Sequence, residues 1–145
     1  MAITAGVCNI YKTQVMKGKH LDTHTYKIAL YTSSATLSPS ATTAYAATNE
    51  VGASGSYTAG GIALTGFNVT LDTNTAVLDF TTDPVATGAT ITARGALIYN
   101  SDASFSGANN AVAILDFGSD QTSTNGTFTI QFPAATAAAG LIRIA

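Results

Sequence analysis

Charge is scarce in this chain: Asp, Glu, Lys and Arg account for 10% of its 145 residues, against about 25% in an ordinary soluble domain. A net charge of −2 leaves no basic footprint of the kind that nucleic acid or an anionic membrane surface requires, so neither is expected as a partner. Tryptophan is absent and cysteine occurs once, as Cys8, which excludes an intrachain disulfide and a cysteine metal cluster. No apolar run approaches the ~18 residues of a membrane helix, and the first residues lack the basic-then-apolar layout of a secretory signal. What the chain has instead is small residues: Ala, Thr, Gly and Ser fill 74 of the 145 positions. Hydrophobic residues still make up 46%, enough to close a core, and the length suits a single domain over 1–145.

The first 24 residues differ from the remainder. Lys12, Lys17 and Lys19 are three of the six basic residues, and His20 and His24 follow closely; between Ile28 and Ala93 there is no lysine or arginine. Val7, Tyr11 and Val15 recur every four residues and Gly18 stands where a helix would stop. The spacing therefore predicts a short amphipathic helix over 5–17, within a helical N-terminal arm, 1–24. From Tyr26 the period becomes two: Tyr26, Ile28 and Leu30 alternate with Lys27, Ala29 and Tyr31. Residues 32–58 read as a long loop, and a loop above about 12–15 residues in a compact domain usually has a task.

Ile62 and Leu64 occupy one phase and Phe67, Val69 and Leu71 the other. The slip at Gly66 predicts a β-bulge inside one strand, with both sets on one face. Further strands are expected at 76–82, 90–99, 110–117 and 126–132, and at Leu141, Ile142 and Ile144. Phe128, Ile130 and Phe132 should point inward. Val112, Ala113, Ile114 and Leu115 are apolar on both faces, so that strand should be covered on both sides. Asn125-Gly126 predicts a tight turn opening the 126–132 strand. Seven strands separated by turn residues predict an all-β domain over 25–145, an antiparallel β-sandwich of jelly-roll type with a short N-terminal helix.

Residues that could carry chemistry are few. His20 and His24 have the spacing of two zinc ligands on a helix, but Gly18 should end the helix before them and no third ligand is near; they read as a surface loop pair. Asp116 and Asp120 around Gly118 lack the alternating acids and closing glutamate of a calcium loop, and read as turn formers. Gly52, Gly55, Gly60 and Gly61 lack the Lys-Ser/Thr ending of a phosphate loop and read as flexible loop. No serine stands in a nucleophile elbow, and Cys8 reads as a small buried thiol. Arg94, mid-strand, should pair with Asp116 or Asp79, or face a partner subunit. No catalytic residue, cofactor or metal is expected.

Four strings carry a resemblance: YKIALYTSSATLS (26–38), GSYTAGGIALTG (55–66), TARGALIYN (92–100) and LDFGSDQTSTNGTFTIQFP (115–133). With the N-terminal helix and the ending LIRIA, they resemble a family of small tailed-bacteriophage virion proteins over nearly the whole chain. The resemblance implies a structural protein without enzymatic activity, similar to the capsid cement or decoration proteins that clamp neighbouring major capsid proteins on the outer surface of the phage head. The implied partners are the major capsid protein and further copies of the chain, as a homodimer or homotrimer. The alternative within the same resemblance is a tail or baseplate component that adheres to the host surface.

The residues add candidate contacts to that expectation. Lys12, Lys17 and Lys19 concentrate basic charge at one end and suit an acidic partner surface. Tyr45 and Tyr57, in the glycine-rich loop, are the aromatics that would meet a host glycan in the adhesive alternative. Low overall charge fits a surface covered by neighbours, since charged residues are depleted at interface cores.

Overall fold

The computed structural model describes residues 2–102 and 107–145. The chain is mostly β, built from antiparallel sheets with one short helix. In order its elements are β1 (Gly6–Val7), α1 (Asn9–Met16), β2 (Tyr26–Tyr31), β3 (Ile62–Ala63), β4 (Phe67–Asp72), β5 (Thr75–Phe80), β6 (Val85–Asn100), β7 (Asn110–Thr129) and β8 (Ile142–Ile144). A five-stranded sheet runs β1-β7-β6-β2-β3 and a three-stranded sheet runs β4-β5-β8.

The centre of the larger sheet is buried on both faces. Ile28, Ala29, Leu30 and Tyr31 of β2, the 95–100 stretch of β6 and Ala111 to Ile114 of β7 are all inaccessible. Successive strand residues point to opposite faces. Tyr26 therefore looks one way and stacks on Phe67 at 5.1 Å between centroids, with Phe80 at 5.5 Å, joining the two sheets. Tyr31 looks the other way, and its hydroxyl donates to the Ala46 carbonyl at 2.6 Å. One face is thus covered by α1 and the smaller sheet, the other by the segment between β2 and β3. This double coverage is what the two-sided apolarity of Val112 to Leu115 predicted, with Leu115 itself only partly buried.

Several boundaries differ from expectation, each for a local reason. The helix is shorter than 5–17 because Gly6 and Val7 pair with Ile114 and Ala113 of β7, and the Cys8 N–H donates to the Val112 carbonyl at 2.9 Å. Gly18, at φ +71°, turns the chain away after Lys17 as expected. The 62–71 stretch is two strands in two different sheets. Gly66, at φ +72°, is the corner where the chain leaves one sheet for the other, not a bulge. Its carbonyl accepts from Thr81 N–H at 3.0 Å, and a β-carbon there would collide with the Thr81 side chain.

The strands expected at 110–117 and 126–132 are one continuous β7. Asn125-Gly126 is not a hairpin turn. Pairing moves from Ala89↔Gly126 to Ile91↔Ser123, so β7 carries an extra residue there, and Asn125 takes φ +47° to absorb it. A larger bulge lies between Ala93↔Gln121 and Gly95↔Asp116. Beyond it, Phe128, Ile130 and Phe132 are buried, as their alternation predicted, while Thr127, Thr129 and Gln131 are exposed.

The N-terminal segment is no free arm. Ile3, Cys8, Tyr11 and Gln14 are buried, Thr4 N–H donates to the Leu37 carbonyl at 2.9 Å, and Asn9 N–H to the Pro39 carbonyl at 2.8 Å. Nor is 32–58 a flexible loop: Ala35, Leu37, Val51 and Tyr57 are core residues. Ser54 and Ser56 continue the sheet edge by accepting from Thr90 N–H and Thr87 N–H, each at 2.8 Å.

Candidate interaction surface

The segment covering one face of the larger sheet is organised around Glu50, the only glutamate of the chain. An irregular segment must find partners for its own backbone polar groups, and here buried phenols supply many of them. The Tyr45 hydroxyl donates to Glu50 Oε2 at 2.6 Å, and the Tyr57 hydroxyl and the Gly60 N–H donate to Glu50 Oε1, each at 2.8 Å. Tyr57 also accepts from Leu30 N–H at 2.8 Å, and Tyr99, stacked on Tyr45 at 4.8 Å, donates to the Gly60 carbonyl at 2.5 Å. Burial first, and Glu50 second, push the Tyr45 phenol up to about 12; the Tyr57 phenol is displaced upward too, by burial first. Both remain proton donors at any ordinary pH.

Tyr57 is fully buried and Tyr45 half-buried. The structure therefore corrects the expectation of an exposed ring for Tyr57, which is fully buried; Tyr45 keeps part of its ring exposed while its hydroxyl is held on the same carboxylate.

A second polar cluster holds the N-terminal segment. With the proton placed on Nε2, His20 donates to Gln14 Oε1 at 2.7 Å, and Gln14 Nε2 donates to Asn110 Oδ1 at 2.9 Å. Asn100 Nδ2 reaches His20 Nδ1 at 3.3 Å and His24 Nδ1 at 2.9 Å. His20 is buried, so the surface loop pair expected of the two histidines is corrected to a buried junction between the chain after α1 and the ends of β6 and β7. Burial, and secondarily the neighbouring His24, pull the His20 imidazole down to about 4.

The remaining candidates resolve simply. Burial pushes the Cys8 thiol up to about 11, against a smaller opposing pull from Lys12, so it is an unreactive core thiol. Arg94 pairs with Asp116, Nε to Oδ1 at 3.0 Å. Asp116 also accepts from Gly118 N–H at 2.8 Å, and that bond first, with Arg94 next, holds its carboxyl below the usual range. Among the described residues, no three His, Cys, Asp or Glu side chains gather as a metal ion would need.

What the sequence reading missed is an uncovered apolar face. In the smaller sheet Val69, Leu78 and Ile142 lie in one register row and Leu71, Ala76 and Ile144 in the next, all on the face turned toward α1. One end of this face is closed by Leu78, Phe80 and Ile142. At the other, Val69 is 54% exposed, Ile144 58% and Leu71 74%, with Leu21 at 50% and Met16 at 89% across from them. Two adjoining hollows of about 280 and 330 Å³ run between α1 and the sheet, sharing Tyr11, Val15, Ile142 and Ile144 as common walls.

Lys12 lines the second hollow and donates to Asn9 Oδ1 at 3.1 Å. Lys17 follows Met16 directly and is exposed; Lys19 is half-buried. Of the three lysines only Lys12 lines the apolar trough, where Arg143 is the other basic residue; all three sit on a segment packed into the domain. The alternation of Phe67, Val69 and Leu71 marked a shared face, but period alone does not say whether anything covers it. Comparisons with protein-family models, curated proteins and solved structures returned no match.

Proposed function

We propose that this protein is a structural component of a tailed-phage virion, a cement or decoration protein that sits on the outer surface of the head and bridges major capsid protein subunits. The observation that carries the reading is the trough between α1 and the smaller sheet, whose lining is predominantly apolar. Soluble monomers rarely leave a contiguous large apolar patch open, and such patches mark interaction sites. The family resemblance of the four sequence strings points the same way. The proposed role is mechanical and calls for no catalysis: many copies, each making modest contacts, add up over a shell.

The chain passes between its two sheets from β3 to β4, β5 to β6 and β7 to β8, while β2-β3, β4-β5 and β6-β7 pair directly within one sheet. The two packed antiparallel sheets support a β-sandwich, and a sandwich of jelly-roll type is the finer description that we propose. The tail-adhesin alternative drew on Tyr45 and Tyr57, which are engaged with Glu50, so we favour the head.

The test is to mix purified protein with expanded, undecorated heads and measure co-sedimentation and head melting. Saturation in a fixed ratio to the major capsid protein, with a raised melting temperature of the shell, is the expected result. Absence of binding, or a handful of copies per particle located at the tail, would refute the head role.

A further inference from the structure

The geometry points to the trough between α1 and the β4-β5-β8 sheet as the docking site, and to a convex apolar segment of another chain, flanked by carboxylates, as its occupant. The identity of that chain as the major capsid protein rests on the function proposed above; the chemistry of the occupant rests on the trough itself. Its floor is apolar, with Val69 and Ile144 more than half exposed, so filling it with apolar side chains removes that surface from water. Met16 at the rim is unbranched and adaptable, a side chain suited to closing over an inserted group. Lys12 and Arg143 line it against a single acidic lining residue, Asp22, so complementary potential asks for carboxylates on the incoming segment.

Shape excludes the two obvious rivals. A second copy docking by twofold symmetry would set trough against trough. Two concavities enclose a void rather than filling one, and Lys12 and Arg143 of both copies would enter the same interface. A membrane offers a locally flat surface, which cannot descend into hollows lying between a helix and a sheet; interfacial binding needs an apolar face that protrudes. A protruding segment of a different protein satisfies shape and charge together.

The experiment has two arms. In the first, 1-anilinonaphthalene-8-sulfonate, an apolar ring system carrying one anionic group, is titrated into the folded protein. Saturable fluorescence that falls at least about fivefold in Val69→Ser/Ile144→Ser, and less steeply in Lys12→Glu, is expected; non-saturable or unchanged signal overturns the trough as a binding site. In the second, the same variants are bound to expanded heads, with Gln121→Glu on the far ribbon as a control. An affinity loss of about tenfold or more for the double variant, an unchanged control, and competition between heads and dye are expected.

Should the wild-type protein and the trough variants bind heads equally well, the trough proposal falls and the cement reading stands. Should wild-type protein leave heads unbound, the cement reading falls, and this occupant with it. A concentration-dependent dimer abolished by Ile144→Ser, or recruitment to phosphatidylglycerol vesicles, would likewise overturn the assignment in favour of a second copy or of lipid. Melting temperatures of all variants within a few degrees of wild type keep each outcome readable.

Discussion

The two coverings of the central sheet are built in opposite ways. Residues 32–61 have almost no regular structure, yet they are tied down: Tyr31, Tyr45, Tyr57 and Tyr99 anchor their hydroxyls on carbonyls or on Glu50. The β4-β5-β8 sheet is regular, yet it is left half open. The difference follows from where backbone hydrogen bonds go. A sheet satisfies its own N–H and C=O groups, so it can carry rows of apolar side chains past the edge of the core without orphaning any polar atom. An irregular segment has no such ladder and must be tied down residue by residue, which leaves it little freedom to receive a partner. The long loop is thus the side fastened by side-chain hydrogen bonds, and the sheet is the side that leaves large apolar residues exposed.

The strongest way to break that comparison is to remove the N-terminal segment, which closes part of the face that the sheet leaves open. Deleting residues 1–19 takes away Ile3, Cys8 and Tyr11 from the core, the β1 pairing with β7, and Gln14 from the buried polar cluster. We expect an insoluble or molten product with no cooperative melt. A soluble truncated protein that melts cooperatively would mean that the segment is an appendage after all.

Next in size is the anchor of the tied-down side. Tyr57→Ala removes a fully buried ring and leaves Leu30 N–H and a Glu50 oxygen without their phenol partner. A loss of ~3–5 kcal/mol is expected by chemical denaturation. Tyr57→Phe, which keeps the ring, should lose ~1–2 kcal/mol. Equal losses in the two variants would show that the hydroxyl, and with it the Glu50 hub, contributes nothing beyond packing.

Much of the fold could be read from the chain because alternation reports which residues share a face. Phe128, Ile130 and Phe132 were legible for that reason, as was the strand at 26–31. The corner at Gly66 was half legible: a glycine at a phase slip marks a break, but sequence does not say whether the chain bulges within one sheet or steps into another. Asn125-Gly126 misled because the left-handed backbone that favours Asn in a tight turn equally favours Asn in a bulge. Glu50 was overlooked, although one glutamate among Ser, Thr, Ala and Gly, five and seven residues from two tyrosines, is the sort of isolated acid that ties down irregular backbone. The trough could not be seen at all, because its opening depends on the lengths of α1 and β8 relative to β4, which is a tertiary property.

Acid should sharpen the comparison more gently. His20 is held neutral in the folded chain down to about 4, chiefly by burial, whereas an unfolded histidine takes up its proton near 6.5. Between those values the unfolded state binds the extra proton, so stability falls as pH drops from about 6.5 to about 4 and is fully present above that window. The loss should be of order 1–3 kcal/mol and should be felt where the N-terminal segment meets β6 and β7, since a second proton on His20 would face the Asn100 amide donor. Thermal melts from pH 7.5 to 4.5 should slope less in His20→Gln than in wild type; parallel slopes would locate the acid sensitivity elsewhere.

The smallest expected effect is the most telling for the open face. Leu71 is a large apolar residue near the end of β4; truncating a buried leucine ordinarily costs ~2–5 kcal/mol. Here three quarters of it is already in water, so folding removes little of its surface and Leu71→Ser should change stability by no more than ~0.5 kcal/mol. Leu97→Ala, at a fully buried site of the central sheet, supplies the contrast and should show the full loss. A large loss at Leu71 would mean the face is covered in solution, and protein concentration then decides by what. If wild-type stability rises with concentration while the variant's does not, copies of the chain cover one another there. If neither depends on concentration, the sheet has closed onto α1 within a single chain. The expected outcome, near-neutral stability at every concentration, is that of a face left open in the isolated chain.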